Sequence, residues 1–148
     1  MTARKMKSGA AEAGSPLILL VEDESIVREV TCEVLQHAGY RVLDSCSAKE
    51  ALQLATKHAG QINLLLTDVV MPEMNGADLA SRLLDIQPDL VTVFMSGYAE
   101  NDVAKKINRS SAMHIQKPFT ISALLSRVAE ALRAGSQGWE EEAVSVAG

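Results

Sequence analysis

The sequence predicts an α/β domain in which five parallel strands form a doubly wound sheet with helices on both faces. Five short strand-like segments alternate with helical patterns along the 148 residues, and such alternation is typical of a parallel sheet. Three of the segments are unbroken apolar runs, as expected where helices cover both faces of a strand. The other two contain polar residues, as expected at the edges of a sheet.

The order of the strands follows from this difference in composition. The predicted strands cover 17–21, 40–46, 62–67, 90–95 and 112–116. Arg41 and Asp44 interrupt the second strand, and the fifth is short and mixed, so these two strands are placed at the edges. The sheet order is then 2-1-3-4-5, the flavodoxin-like arrangement, in which ligands bind outside the carboxyl ends of the strands.

Five helices are predicted from apolar periodicity and from start and stop signals. They run from Ile26 to Gly39, from Ser47 to Gly60, from Gly76 to Pro88, from Glu100 to Asn108 and from Ile121 to Leu132. Val27, Val30 and Val34 form the predicted apolar face of the first helix. Ser47 and Glu50 have the spacing of a capping box at the start of the second helix.

Length and composition limit the class of protein further. We expect a single domain over 16–133, preceded by a disordered segment over 1–15 and followed by a flexible tail over 134–148. The net charge of −5 disfavours nucleic acid as a partner. No apolar run approaches the roughly 20 residues of a membrane helix. Cys32 and Cys46 lack the spacing of a metal site or a redox pair, which favours reduced thiols and a cytoplasmic protein.

Polar side chains follow four of the predicted strands at the point where each strand ends. They are Glu22 and Asp23 after the first strand, Asp68 after the third, Ser96 after the fourth and Lys117 after the fifth. Because the first and third strands are neighbours in the predicted order, the three carboxylates should converge. Such a cluster is unfavourable without a cation, and Mg²⁺, which takes oxygen ligands and retains several waters, fits it.

The same strand ends suit a phosphoryl group. Mg²⁺ and Lys117 would neutralise its oxygens, Ser96 would donate a hydrogen bond, and Asp68 would be the nucleophile that forms an aspartyl phosphate. Taken singly, each feature has a simpler explanation: the acids at 22–24 as the charged start of a helix, and Asp68 as a turn residue. Their joint placement at successive strand ends favours the phosphoryl site.

Four motifs at these positions resemble the receiver domains of bacterial two-component response regulators, which have a CheY-like fold. The motifs are Leu20-Val21-Glu22-Asp23-Glu24, Thr67-Asp68-Val69-Val70-Met71-Pro72-Glu73-Met74-Asn75-Gly76, Met95-Ser96-Gly97-Tyr98 and Gln116-Lys117-Pro118-Phe119. The resemblance extends over about 17–133. The run from Met95 to Glu100 is also similar to receivers attached to hybrid sensor kinases.

The resemblance implies a role for each residue of the metal site. Asp68 is implied as the phosphoacceptor and as a metal ligand. Asp23 is implied as a direct Mg²⁺ ligand, Glu22 as an acid that usually helps through water, and the backbone carbonyl of Val70 as a further ligand. Val70 and Tyr98 are expected to flank the path of attack and to tune the rate of phosphate loss.

Further roles are implied on the far side of the site. Ser96 is implied as the hydroxyl that turns toward the phosphoryl group, and Lys117 as the lysine that pairs with it. The bond between Lys117 and Pro118 is implied to be cis. His114 occupies the position of the family's switch aromatic, which suggests either a switch residue with pH sensitivity or a surface residue on an edge strand.

The resemblance also implies the partners of the protein. A histidine kinase or a histidine phosphotransfer protein would supply the phosphoryl group, and the chain would catalyse only its own phosphorylation and dephosphorylation. We expect no output domain, DNA-binding domain or membrane segment after Arg133. We therefore expect either a stand-alone regulator or a receiver excised from a hybrid kinase.

Three other functions fit the sequence less well. A small-molecule phosphatase that uses an aspartyl phosphate would carry a second Asp two residues after the nucleophile, where this chain has Val70. A flavin-binding module would need a Ser/Thr/Gly-rich phosphate loop after the first strand, where this chain has acids. A receiver that binds partners without phosphorylation is disfavoured by the complete set of site residues.

Overall fold

A computed structural model of the chain describes residues 14–97 and 113–147. The strands are β1 (Leu17–Val21), β2 (Arg41–Ser45), β3 (Leu64–Asp68), β4 (Val91–Ser96) and β5 (Met113–Gln116). The helices are α1 (Ser25–His37), α2 (Ala48–Lys57), α3 (Gly76–Ile86) and α4 (Ile121–Ala147). The helix predicted over 100–108 lies outside the described residues.

The five strands form one parallel sheet in the order β2-β1-β3-β4-β5, which confirms the predicted doubly wound arrangement. Val21 at the end of β1 pairs in register with Ser45 and Thr67. Asp68 at the end of β3 pairs with Met95. The carboxyl ends of the strands therefore lie side by side along one margin of the sheet, called here the carboxyl edge.

Alternate strand residues point to opposite sides of the sheet, and helices cover both sides. Leu19 and Leu65 face one apolar cluster, to which α2 and α3 contribute. Leu20 and Leu66 face a second cluster, to which α1 and α4 contribute. This two-sided burial is the reason that the central strands are continuous apolar runs.

Local signals define the ends of the first two helices. Ser47 accepts a hydrogen bond from the backbone N–H of Glu50 at 3.1 Å, and the Glu50 carboxylate accepts one from the N–H of Cys46 at 2.9 Å. The predicted capping interaction is therefore present at the start of α2. Gly39 and Gly60, with φ of 104° and 82°, follow α1 and α2 and redirect the chain.

Side-chain amides hold the opposite margin of the sheet, the amino edge. Asn63 accepts a hydrogen bond from the backbone N–H of Leu17 at 2.9 Å and returns one from its own N–H to the Leu17 carbonyl at 2.8 Å. Gln87, at the end of α3, accepts from the N–H of Ile62 at 3.2 Å and donates to its carbonyl. These contacts fix the loops that lead into β1 and β3.

The face predicted for α1 is only partly buried. Val34 is half-buried and packs against the second cluster, but Val30 and Ile26 are 54% and 75% exposed, and the buried residues of the helix are Thr31 and Leu35. The helix is therefore rotated slightly relative to the prediction. The pattern misled because a threonine takes a core position that the valines were expected to fill.

The last helix is longer than predicted, since α4 continues to Ala147 and does not end near Leu132. The sequence contains no proline after Pro118, so no residue there forbids a helix. The division into a domain over 16–133 and a flexible tail stays a prediction. Among the described residues, no helix combines the length and apolar character needed to cross a membrane.

Candidate functional site

Three carboxylates converge at the carboxyl edge, as predicted. Glu22, Asp23 and Asp68 each place one oxygen within 4.8 Å of the others. Glu22 and Asp68 are buried, because they follow adjacent central strands, while Asp23 is exposed. The cluster thus has a buried floor and one side open to solvent.

Lys117 contacts two of these acids. Its Nζ atom lies 2.6 Å from Asp68 Oδ1 and 2.9 Å from Glu22 Oε1. The lysine follows β5 directly, and its backbone N–H donates to the carbonyl of Ser96 at 2.7 Å. The bond between Lys117 and Pro118 is cis, as the resemblance implies. The lysine that the resemblance implies as the partner of the phosphoryl group thus contacts Asp68, the residue implied as the phosphoacceptor.

Every polar group of Glu22 has a partner. Its N–H donates to the carbonyl of Ser45 at 3.1 Å, and its carbonyl accepts from Arg28 at 2.9 Å. Its carboxylate accepts from the N–H of Glu24 at 3.2 Å and from Lys117. The contact with Lys117 was not predicted, since the sequence suggested only a metal-side role for this acid.

Negative charge exceeds positive charge in the cluster. Burial raises the pKa of Asp68 to about 8; the neighbouring Glu22 acts in the same direction, and Lys117 opposes them. Burial by itself would lower the pKa of Lys117, but its contacts with Asp68 and Glu22 outweigh this and raise the pKa to about 12. Lys117 is therefore charged at neutral pH and cannot by itself balance three acids.

The donor set fits a hard divalent cation. All three side-chain ligands are carboxylate oxygens, which Mg²⁺ prefers, and the exposed side of the cluster leaves room for the waters that this ion retains. The carbonyl of Val70 lies two residues beyond Asp68, on the loop that continues from β3, and the Val70 side chain is 49% exposed.

A close backbone contact holds the loop after Asp68. The N–H of Gly76 donates to the carbonyl of Val69 at 2.6 Å. A Cβ atom on Gly76 would overlap the carbonyl oxygen of Asp68. The Asn-Gly pair at 75–76 indicated a turn, and Asn75 does cap α3 by accepting from Asp78 at 2.8 Å. No sequence pattern indicates that Gly76 packs against the backbone of Asp68.

Ser96 and His114 lie on the two last strands near the cluster. Ser96 is buried at the end of β4, next to the residue that pairs with Asp68. His114 is half-buried on the edge strand β5, with its ring centroid 5.7 Å from that of Phe94, and its role as a switch residue stays a prediction. Both line a cavity of about 480 Å³ between β5 and the start of α4. Tyr98 lies outside the described residues.

The stability of the metal-free protein should fall as the pH rises. The pKa of Asp68 is about 8 in the folded chain against 3.8 for an ordinary aspartate side chain, so folding is favoured by proton uptake. That contribution is complete below about pH 4 and is lost as the pH rises through about 8. In EDTA, we expect the free energy of unfolding from urea titrations to decrease by about 1 kcal/mol or more between about pH 5 and pH 8.5.

The variant Asp68→Asn should weaken this decrease, because it removes the titrating group. The exposed Asp89→Asn serves as the matched control and should keep the wild-type pH dependence. An equally steep decrease in Asp68→Asn would contradict the assignment of the effect to Asp68.

The fold and the site together define a class: a flavodoxin-like domain with an acidic cluster and a paired lysine at the carboxyl edge of its sheet. The chain belongs to the response regulator receiver domain family, whose model matches residues 18–129. This confirms the resemblance drawn from the motifs.

Individual relatives agree with this membership. The chain is 38% identical over 123 residues to the response regulator receiver protein CpdR of Brucella abortus. The aligned region covers 78% of this chain and 95% of CpdR. It is also 36% identical over 130 residues to the sensor kinase CckA of the same organism. The aligned region covers 87% of this chain but only 14% of that kinase.

Solved structures give the same result. The receiver domain of the hybrid histidine kinase CckA has 34% identity and a TM-score of 0.69, covering 78% of this chain and 98% of that domain. A response regulator receiver domain protein from Clostridium thermocellum has 25% identity and a TM-score of 0.77, covering 82% and 98%. The chain is therefore a receiver domain of the two-component type.

Proposed function

We propose that Asp68 accepts a phosphoryl group from a histidine of a partner kinase or phosphotransfer protein. The observation that carries the proposal is the Asp68 carboxylate at the carboxyl edge, 2.6 Å from Lys117 and within a cluster of acids that suits Mg²⁺. The similarity to both a receiver protein and the receiver of a sensor kinase supports a histidine kinase or its phosphotransfer partner as donor.

The reaction requires little covalent chemistry from the protein. An oxygen of Asp68 attacks phosphorus as the bond from phosphorus to the donor imidazole breaks, and the leaving nitrogen takes up a proton. Lys117 is already placed beside Asp68 and would neutralise a phosphoryl oxygen. Mg²⁺ bound by Asp23, Asp68 and the Val70 carbonyl, with Glu22 behind them, would neutralise the remaining phosphoryl charge.

Two further steps complete the proposed cycle. Water attacks the phosphorus, the bond to Asp68 breaks, and free phosphate leaves, so the domain catalyses only its own phosphorylation and reset. Ser96 would turn its hydroxyl toward the phosphoryl group, and His114 would respond through the cavity that both residues line. This would couple the site to the surface formed by β5 and α4.

The surroundings of the site support a protein as the donor. Ile26 and Ile121 are 75% and 60% exposed, and Val70 is also exposed. Each of the three comes no more than four positions after a site residue in the sequence. If these side chains form one contiguous patch, they are suited to burial against a partner protein. The proposal places this reaction in the cytoplasm, where the thiols of Cys32 and Cys46 would remain reduced.

Phosphorylation of Asp68 can be tested with a small phosphodonor. Incubation with Mg²⁺ and acetyl phosphate is expected to add one acid-stable, base-labile phosphoryl group, measured by intact-protein mass spectrometry. Asp68→Asn has nearly the same shape but no nucleophilic carboxylate, so it should gain none. EDTA should reduce the wild-type adduct by at least about 100-fold in rate, because the acidic cluster then opposes the anionic donor.

The exposed Asp89→Asn is the matched control and should form the adduct as the wild type does. An adduct of equal yield on Asp68→Asn would overturn the proposed acceptor. Release of phosphate from a generic phosphomonoester at catalytic turnover would instead favour the phosphatase alternative.

A further inference from the structure

We propose that Arg28 is a positioning residue for the loop that carries the metal ligands, and that Asp44 holds Arg28 in place. This inference rests on the proposed function, because it concerns how Glu22 and Asp23 are presented to Mg²⁺. Neither Arg28 nor Asp44 belongs to the motifs at the strand ends. Asp44 is the polar residue that interrupts the second strand, and the phosphoryl site leaves it without a role.

Arg28 contacts the loop at both its main chain and its side chain. Its backbone N–H donates to the carbonyl of Glu24 at 2.9 Å in the first turn of α1. Its guanidinium donates to the carbonyl of Glu22, also at 2.9 Å. The side chain is only 18% exposed, so it lies against the protein and not in solvent.

The carbonyl of Glu22 is a sensitive point of attachment. It belongs to the peptide plane that joins Glu22 to Asp23, and a peptide plane moves as a rigid unit. The other polar groups of Glu22 are bound to Ser45, Glu24 and Lys117. The bond from Arg28 therefore sets the plane from which the exposed Asp23 side chain projects toward the cluster.

Asp44 supplies the second anchor for the guanidinium. Its carboxylate lies 3.6 Å from Arg28 Nε, on β2, opposite Leu20 in the register. The planar guanidinium thus contacts the Asp44 carboxylate through Nε and the Glu22 carbonyl through a terminal nitrogen. A lysine ammonium lacks this rigid fork and would not reproduce both contacts.

The test compares Mg²⁺ binding in four variants by isothermal titration calorimetry. Arg28→Gln should raise the Mg²⁺ dissociation constant about 10-fold, as loss of a residue that orients metal ligands commonly does. Arg28→Lys should recover only part of this loss. Asp44→Asn should weaken binding in the same direction, and the double variant should bind no more weakly than Arg28→Gln, since both act through one contact.

The matched control is Arg127→Gln. Arg127 also forms an arginine–carboxylate pair, with Glu130 at 3.3 Å, but on the exposed surface of α4. The Arg127→Gln variant should bind Mg²⁺ as the wild type does. Phosphorylation by acetyl phosphate distinguishes weaker Mg²⁺ binding from a slower reaction step. At saturating Mg²⁺, Arg28→Gln should react within about twofold of the wild-type rate, because the substitution lowers only the affinity for the metal.

A readout without metal addresses the loop directly. Amide hydrogen exchange in EDTA should be about tenfold faster at Asp23 and Glu24 in Arg28→Gln, while the amide of Leu19 in β1 keeps its protection. Unchanged exchange and an unchanged dissociation constant would overturn the inference. Should Arg28→Gln not fold, Arg28→Lys and Asp44→Asn decide it by the same criterion.

The outcome for the wild type separates the two proposals. A wild-type protein that binds no Mg²⁺ and forms no adduct would overturn the proposed function and this inference with it. A wild-type adduct together with wild-type Mg²⁺ affinity in both Arg28→Gln and Asp44→Asn would overturn only the role of Arg28.

Discussion

Replacing Lys117 by methionine is expected to slow phosphorylation of Asp68 by at least about 100-fold at saturating Mg²⁺. The ammonium lies 2.6 Å from the Asp68 oxygen and 2.9 Å from the Glu22 oxygen, so it is the cation nearest to the reacting carboxylate among the described residues. Methionine has a similar length but no charge. The anionic donor would then approach two buried acids that no lysine neutralises.

The same variant should also lower the stability of the metal-free protein at high pH. Removing one partner of a buried ion pair commonly costs about 3–5 kcal/mol, because the remaining charge is uncompensated. Since the acids can take up protons, the loss should be largest near about pH 8.5 and small near about pH 5. Urea unfolding in EDTA measures it, alongside the rate of adduct formation by intact mass.

The exposed Lys57→Met provides the matched control, since it removes a lysine from the end of α2. It should leave both the phosphorylation rate and the pH dependence of stability unchanged. A Lys117→Met protein that reacts within about threefold of the wild-type rate would show that the lysine does not stabilise the transferring group.

Gly76→Ala is expected to destabilise the fold by about 2–3 kcal/mol. The added Cβ would overlap the carbonyl oxygen of Asp68 and lie 3.2 Å from both the Asp68 carbonyl carbon and the Cα of Val69. These neighbours are backbone atoms of a buried strand end, which cannot rotate away as a flexible side chain would. The end of β3 at Asp68 and the loop that carries Val70 must therefore shift.

Because Asp68, the proposed acceptor, lies at that strand end, Gly76→Ala should lose activity as well as stability. We expect at least a tenfold slower reaction with acetyl phosphate at a temperature where the variant remains folded, since small misplacements of reacting groups are costly. Gly14→Ala is the control, because a Cβ there would meet nothing within 4 Å. Equal stability and rate in Gly76→Ala and the wild type would contradict the close contact described above.

The sheet and the convergence of its polar ends were predictable from the sequence. Continuous apolar runs identified the central strands, and a parallel sheet necessarily gathers the residues that follow them, here Glu22, Asp68 and Lys117. This inference needs only strand order and direction, both of which depend on burial patterns that are visible in the composition.

The contacts that cross between elements were not predictable in the same way. The pairing of Glu22 with Lys117, 95 positions apart, depends on the length of one side chain. The contact of Arg28 with the Glu22 carbonyl has no periodic signal, and the rotation of α1 onto Thr31 and Leu35 depends on how a helix packs in three dimensions. Close packing around Gly76 is likewise a property of the assembled backbone.

The amino edge and the carboxyl edge of the sheet are held by different kinds of interaction. Amides of Asn63 and Gln87 fasten the strands at one end, whereas ionised groups meet at the other. The contacts that stabilise the fold and the groups that carry the proposed chemistry thus lie at opposite ends of the strands. Substitutions at the amino edge, whether engineered or evolved, can therefore change the stability of the fold without changing the chemistry at the carboxyl edge.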